Sequence, residues 1–334
     1  MRRIASIFAY ICALLGASGA SAQPSASLQP VRIEVPAATN LQFLALWVAI
    51  GGGFFEKEGL KPQIIVAASP RETGQLMLHG GAEVALLPPP MFLGYIEEHE
   101  PIQLFASLLA NEPINIVVSG QAANARNLSA RVSLKERLLA LKGLKIGLAS
   151  EVTPRLKAIY DAAGLDVGKD ITRVVIAGPD QVQAFADGKV DALFAHTPYL
   201  ETALTEHHGF LVVEASHGEV AALADGEIHT LATSKETAAK NPVMIERVRR
   251  AIADAEAIIH SSPETTLRAL AAYGAIHEPE KALSTIVAIY GPAVPRTPAV
   301  SVAAIQHDAQ LYPAHPKAPD FTKVRTADFV LTLN

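Results

Sequence analysis

The opening segment, residues 31–67, most narrowly restricts what this chain can fold into. Val31–Val35 alternates apolar with charged residues, Pro62–Ala67 is mostly apolar, and both have the length of a strand. Between them, residues 37–60 place apolar side chains at helical spacing, and Gly53 and Gly59 supply the left-handed conformation at which helices end. Strand, helix and strand in this order predict a parallel α/β unit.

The alternation of strands and helices occurs twice along the chain. A first series continues to about residue 108 and a second runs from about 144 to 213, with irregular connections near 109–118 and 214–228. The pattern predicts an α/β fold of two mainly parallel sheets flanked by helices. A long amphipathic helix, Pro242–Ser261, opens a mostly helical remainder.

Two local predictions concern segments between these elements. Ser69, followed by proline and then by a glutamate three residues on, predicts the start of a helix that ends near His79. The polar segment Asn124–Arg131 is typical of a loop.

The first 22 residues predict a signal peptide. Arg2 and Arg3 precede the apolar run Ile4–Leu15, and Ala20-Ser21-Ala22 forms a small-x-small cleavage site. The alternative is a frayed N-terminal helix. Residues 23–29 then form a linker, and we expect the protein in the periplasm.

Composition excludes several classes of function. Cys12 is the only cysteine and lies in the predicted leader, so the exported chain has no thiol chemistry and no disulfide. Without the leader it carries 26 basic and 33 acidic residues, a net charge of −7, which argues against a nucleic-acid partner. No later apolar run reaches the length of a membrane span.

Three motifs, in order, resemble one known family. Gly53–Leu60 reads G-F-F-E-K-E-G-L, Leu141–Gly147 reads L-K-G-L-K-I-G, and Ala184–Ala192 reads A-F-A-D-G-K-V-D-A. Over residues 30–270 the chain resembles the nitrate/sulfonate/taurine and thiamine-precursor type of solute-binding proteins of ABC transporters. Gly81–Val84 lacks the family's aspartate, and Pro88-Pro89-Pro90 replaces a small, glycine-rich loop.

The resemblance implies a two-lobed, type II periplasmic-binding-protein fold with two crossing strands as hinge. Lobe 1 would comprise residues 30–113 and 228–334, and lobe 2 residues 114–227. It also implies a small-molecule ligand between the lobes, an inner-membrane permease with its ATPase as partner, no cofactor and a monomeric state.

Four predicted helix starts follow strands, and therefore face the cleft in such an architecture. Their free N–H groups and positive dipole ends favour an anion or polar group. The candidate ligand-binding residues at these starts are Thr39, Asn40 and Gln42, then Pro89 and Pro90, then Ser150 and Thr153, and finally His196 and Thr197. The competing interpretation is that Thr39, Thr153 and Thr197 only cap their helices, with Thr39 and Gln42 forming a capping box.

Two further candidates are Trp47, which could stack on a ligand, and Asn111, at the first crossing. Core packing and turn formation are their ordinary roles. Arg71 and Arg155 lie near helix starts and could pair with an anion, but solvated surface is the favoured interpretation for both.

Enzyme motifs are missing from the sequence. It has no Gly-x-Ser-x-Gly, no Ser-x-x-Lys and no P-loop, and His207, His208 and His217 fit no zinc spacing. We therefore expect a binding protein that takes a small polar or anionic organic solute, of the sulfonate, nitrate, taurine, pyrimidine or aromatic carboxylate class. The alternatives are an enzyme on the same fold, acting on a thiamine- or menaquinone-pathway intermediate, and a ligand-sensing module.

Overall fold

The computed structural model describes residues 27–149, 153–312 and 324–332, and in this part ten strands form two sheets. The predicted signal peptide and Ser150 lie outside these ranges. The strands are β1 Gln29–Val35, β2 Leu60–Val66, β3 Val84–Leu87, β4 Ile102–Leu109, β5 Asn115–Val118, β6 Lys145–Leu148, β7 Thr172–Val175, β8 Ala192–Ala195, β9 Phe210–Val213 and β10 His229–Ser234.

Helices cover both sheets. They are α1 Leu44–Gly51, α2 Phe54–Lys57, α3 Gln75–Leu78, α4 Pro89–Glu97, α5 Gly120–Ala125, α6 Leu134–Leu139, α7 Pro154–Asp161, α8 Gly178–Ala186, α9 Tyr199–Glu206, α10 Lys235–Lys240, α11 Pro242–Ser261, α12 Pro263–Tyr273, α13 Glu280–Tyr290 and α14 Val302–Leu311. The long helix predicted over Pro242–Ser261 is confirmed to the residue.

The two sheets share one topology. The first, which with its helices we call lobe 1, has the order β2-β1-β3-β10-β4, and the second, lobe 2, has the order β7-β6-β8-β5-β9. In each, one strand (β10 or β5) runs antiparallel to its neighbours and the remaining four share a direction. The predicted fold class of two mainly parallel α/β lobes is confirmed.

The chain crosses between the lobes through residues 110–114 and 214–228. In the described chain these crossings are irregular, with two short 3-10 turns in the second, whereas crossing strands were expected. The Asn111 side chain in the first crossing is hydrogen-bonded to the backbone of the second. Its Nδ2 donates to the Ser216 carbonyl at 3.1 Å, and its Oδ1 accepts from Asp225 N at 3.0 Å.

Helix α1 lies at the centre of the lobe 1 core. It is buried along almost its whole length and packs on α11 and α12. Gly53 and Gly59 have positive φ angles of 72° and 73°, as predicted for the ends of the two helical turns.

Two local predictions were wrong. The helix expected from Ser69 is interrupted at Gly74, whose φ is 102° and whose position leaves no room for a Cβ beside the Tyr95 ring. The expected loop at Asn124 overlaps α5, because Ser119 Oγ accepts from Ala122 N at 3.2 Å and caps a helix there.

Within the described ranges no helix is long and apolar enough to span a membrane. The same residues contain no group of three or more His, Cys, Asp or Glu side chains placed to hold a metal ion.

Candidate functional site

The lobe 1 part of the candidate site lies where α1 and β10 begin. Asn40, and not Thr39, caps the first turn, since its Oδ1 accepts from Gln42 N at 2.9 Å. The predicted Thr39–Gln42 capping box was therefore wrong. Gln42 Oε1 lies 3.2 Å from His229 Nε2, and the edge of Phe43 meets the same imidazole at 4.9 Å between ring centroids.

This geometry sets the state of His229. With Gln42 Oε1 as acceptor, Nε2 carries the hydrogen and Nδ1 is left as an acceptor, which has no partner among the described residues. Burial, and secondarily the charge of Arg155, lower the pKa of His229 to about 3. The ring is therefore neutral and presents a lone pair.

A buried ion pair joins lobe 2 to the first crossing. Arg155, the second residue of α7, places Nη1 3.0 Å from Oε1 of Glu112, whose side chain is 0% exposed. Burial raises the pKa of the Glu112 carboxyl, and Arg155 opposes that shift. For Arg155, burial acts to lower the pKa but the charges of Glu112 and its neighbours raise it overall.

Tyr312, at the end of α14, completes the group that we call the hinge cluster: Glu112, Arg155, His229 and Tyr312. The Arg155 guanidinium carbon lies 5.6 Å from the centroid of the Tyr312 ring. Each member has one buried polar atom without a hydrogen-bonding partner in the described chain: Glu112 Oε2, Arg155 Nε, His229 Nδ1 and Tyr312 OH. The four come from both lobes and from the crossing.

Lobe 2 contains a small pocket that brings two predicted residues together. Thr153 and His196 line it, with Gln181 and Phe194 beside them. Thr153 caps α7 as expected, its Oγ1 accepting from Leu156 N at 3.2 Å. His196 Nδ1 lies 2.7 Å from the Thr197 carbonyl oxygen.

The helix starts offer fewer free N–H groups than predicted. Prolines 88, 89 and 90 remove three donors at α4, and the next N–H, on Met91, donates to the Pro88 carbonyl at 2.9 Å. At α9 the His196 carbonyl accepts from both Tyr199 N and Leu200 N. Thr197 does not cap α9, and its hydroxyl has no partner in the described chain, so that capping prediction was wrong.

The other candidates are dispersed. Trp47 is fully buried in lobe 1, stacks on Tyr273 at 4.5 Å between centroids, and donates from Nε1 to the Asn40 carbonyl at 2.7 Å. Pro89 is buried and Pro90 is exposed. Asn111 is bonded to the second crossing, as described above.

Most of the hinge cluster was not among the residues predicted for the site. Arg155 was expected on the solvated surface, which was wrong: its side chain is only 18% exposed, because the start of α7 faces the crossing. Glu112 follows Asn111 and precedes Pro113, and its neighbours suggested only a turn. Arg71, the other arginine, is exposed as expected.

Comparison with known proteins places the chain in a family. The model of the NMT1-like family matches residues 30–273, most of the chain, and the protein therefore belongs to the NMT1-like family. This agrees with the family resemblance drawn from the three motifs. No curated protein matches the sequence.

Solved structures show the same fold at low sequence identity. A protein of Bordetella bronchiseptica aligns with a TM-score of 0.65 at 19% identity, covering 90% of this chain and 94% of that one. The periplasmic aliphatic sulphonate-binding protein SsuA of Escherichia coli gives 0.62 at 18%, covering 92% and 93%. The alkanesulfonate-binding SsuA of Xanthomonas axonopodis, bound to MOPS, gives 0.60 at 17%, covering 90% and 98%.

Proposed function

We propose that this protein is the periplasmic substrate-binding component of an ABC importer, which captures a small polar organic solute between its lobes. We place the lobe bounds at residues 113/114 and 227/228. Family membership and the two-lobed fold support the class, and the sequence of residues 1–22 supports export.

One observation carries the proposal: the hinge cluster gathers unpartnered polar atoms from lobe 1, lobe 2 and the crossing. A buried polar atom without a partner costs free energy, about 1–3 kcal/mol each. A solute that satisfies these atoms recovers that cost only while the lobes surround it. Binding would then shift the population towards the closed form, which the inner-membrane permease and its ATPase would recognise.

The donors and acceptors of the hinge cluster favour some classes of solute over others. Arg155 Nε is a donor, whereas Glu112 Oε2 and the neutral His229 Nδ1 are acceptors. The positive charge of Arg155 is already paired with Glu112, and prolines remove N–H donors from three of the four helix starts. We therefore favour a solute with both acceptor and donor groups, such as a taurine-like zwitterion or an aminopyrimidine, over nitrate or a simple sulfonate.

A thermal-shift screen tests this function. The probes are taurine, an aminopyrimidine, MOPS, an aliphatic sulfonate, nitrate and an aromatic carboxylate. A probe at 100 times its Kd should stabilise the protein by about 2.7 kcal/mol and raise Tm accordingly. Gln42→Ala, which removes the support of His229, should weaken the shift, and Gln183→Ala, on the exposed face of α8, should not.

The outcomes separate the classes. A rise in Tm with taurine or the aminopyrimidine alone supports a solute that has both donor and acceptor groups. A rise in Tm with nitrate alone overturns this preference, but it leaves the proposed binding function in place. No shift with any probe argues against solute capture. A probe recovered chemically altered, by mass spectrometry after incubation, would replace the transport function with an enzyme on this fold.

A further inference from the structure

Helix α9 of lobe 2 packs directly on helix α13, which belongs to the helical region after β10. Lys281 Nζ on α13 donates to the Thr205 carbonyl on α9 at 3.3 Å. The apolar side chains of both helices join one continuous core. This contact joins the two lobes at a place separate from the hinge cluster.

Three polar residues are enclosed in that contact. Thr197 is 1% exposed, and Glu201 and Tyr290 are 0% exposed. Both carboxyl oxygens of Glu201, the Thr197 hydroxyl and the Tyr290 hydroxyl have no hydrogen-bonding partner in the described chain. Thr197 and Glu201 come from lobe 2, whereas Tyr290 ends α13, so the group spans the contact.

The surroundings of Glu201 disfavour a negative charge. An ionised carboxylate without a cation is costly to bury, since it loses hydration and gains no pairing energy. The two strands packed against α9, β5 and β8, contain no titratable residue.

The helices packed against α9 supply charge of the wrong sign or none within bonding reach. Glu278, just before α13, adds a repulsive charge, and Glu112 acts in the same sense on Tyr290. Asp180 on α8 and Glu280 on α13 are both exposed. Lys281 is bonded to the Thr205 carbonyl.

We propose that Glu201 is a proton-binding site within the contact between the lobes: when it is protonated, α9 packs on α13, and when it loses the proton the contact weakens. Protonated, the carboxyl can donate one hydrogen bond and accept others, and Thr197 and Tyr290 are the hydroxyls that meet it. Ionised, it leaves an unpaired charge between two apolar helix faces. The balance between lobe contact and separation would then depend on periplasmic pH, whatever the solute.

The direction of the pH effect follows from the raised pKa of Glu201. Burial, with a smaller contribution from Glu278, raises this pKa to about 7. A carboxyl with a raised folded-state pKa stabilises the contact most below its ordinary pKa of about 4.5, and this stabilisation is lost as pH rises through 7. Acid therefore strengthens the contact and mild base weakens it.

Hydrogen exchange of the α9 and α13 amides tests the proposal in the intact protein. At each pH the protection in Glu201→Gln is divided by that in the wild type, which cancels the intrinsic pH dependence of exchange. Glutamine mimics the protonated carboxyl, so the ratio should be near one at pH 5 and rise at least about tenfold by pH 8, the effect of one pKa unit. Glu206→Gln, exposed on the same helix, is the matched control and should give a flat ratio.

A second variant distinguishes titration of Glu201 from a general loss of packing between α9 and α13. Tyr290→Phe removes a hydroxyl that acts to lower the pKa of Glu201. The midpoint of the exchange effect should therefore move to higher pH. A flat Glu201→Gln ratio between pH 5 and 8, or a midpoint that Tyr290→Phe leaves unmoved, would overturn the proposal.

Discussion

Glu112 and Glu256 are both glutamates with no exposed surface, but they lie in opposite electrostatic surroundings. Glu112, at the crossing, has Arg155 at 3.0 Å. Glu256, on α11, has no hydrogen-bonding partner for either oxygen in the described chain, and the neighbouring charge is that of another acid, Glu227. At the crossing, the buried charge of Glu112 is paired with that of Arg155. On α11, the buried carboxyl of Glu256 stays protonated because burial raises its pKa.

The region around Glu256 is larger than one residue. Glu227, Glu256 and Asp308, which we call the acid cluster, all have pKa values raised by burial, to about 7, about 9 and about 6. Glu227 accepts from Ser301 N at 2.6 Å, and Asp308 accepts from Glu227 N at 2.7 Å. His229 in the hinge cluster has the reverse shift, to about 3. Low pH should therefore destabilise the hinge cluster, where His229 becomes charged, and high pH should destabilise the acid cluster, where the carboxyls lose their protons.

The largest effect is expected from breaking the ion pair. Arg155→Met leaves the Glu112 carboxylate buried without an opposite charge, and the free energy of unfolding should fall by about 3–5 kcal/mol. Urea unfolding at pH 7 measures it. Adding Glu112→Gln should recover most of the loss. Arg71→Met, at an exposed arginine, should stay within about 0.5 kcal/mol, and an equal loss there would show that the pairing does not matter.

The next effect comes from neutralising the acid cluster. The raised pKa of Glu256 means that its contribution to stability is fully present below about 4.5 and is lost as pH rises towards 9. Glu256→Gln cannot ionise, so its free energy of unfolding should exceed that of the wild type by about 3 kcal/mol at pH 7 and by under about 1 kcal/mol at pH 5. Chemical denaturation across this range checks the difference, with exposed Glu72→Gln as control. A gain that is the same at both pH values would contradict a neutral, buried Glu256.

A smaller effect of opposite sign is expected at His229. Its depressed pKa means that stability is present above 6.5 and is lost as pH falls towards 3. Relative to His229→Gln, the wild type should lose about 2 kcal/mol between pH 7 and 4.5. The comparison is made between Tm profiles, with the exposed His208→Gln as control. Parallel profiles for wild type and His229→Gln would mean that the ring is not held neutral.

The smallest effect is expected where polar burial involves no charge. Asn40→Ala removes the cap of the first turn before α1 and should cost about 1 kcal/mol. Thr39→Ala, at an exposed side chain that makes no cap, should cost a few tenths. Equal losses would restore the capping box predicted from the sequence.

Local patterns predicted much of the fold. Helix Pro242–Ser261, the glycine-terminated turns at Gly53 and Gly59, and the Thr153 cap of α7 were all found as expected. Each depends on residues within one or two turns of one another, where propensity and capping act. Predictions failed where a distant side chain intervened, as at Gly74, which faces Tyr95.

The contacts of the candidate site join residues that are far apart in the sequence. Gln42 was predicted from its helix start, but its partner His229 lies 187 positions away. Arg155 and Glu112 are 43 positions apart, and neither neighbourhood indicates the other. Whether a charged side chain is solvated or buried depends on what packs over it.

The sequence by itself determined the two-lobed α/β fold and the family, because strand and helix periodicity, glycine stops and short motifs are written in neighbouring residues. Only the tertiary structure decided which polar groups meet: Arg155 with Glu112 at the crossing, and Glu201 with Thr197 and Tyr290 between α9 and α13. The reason is physical. The pKa and the hydrogen-bonding needs of a side chain are set by desolvation and by partners that approach through space, and sequence separation does not limit that approach.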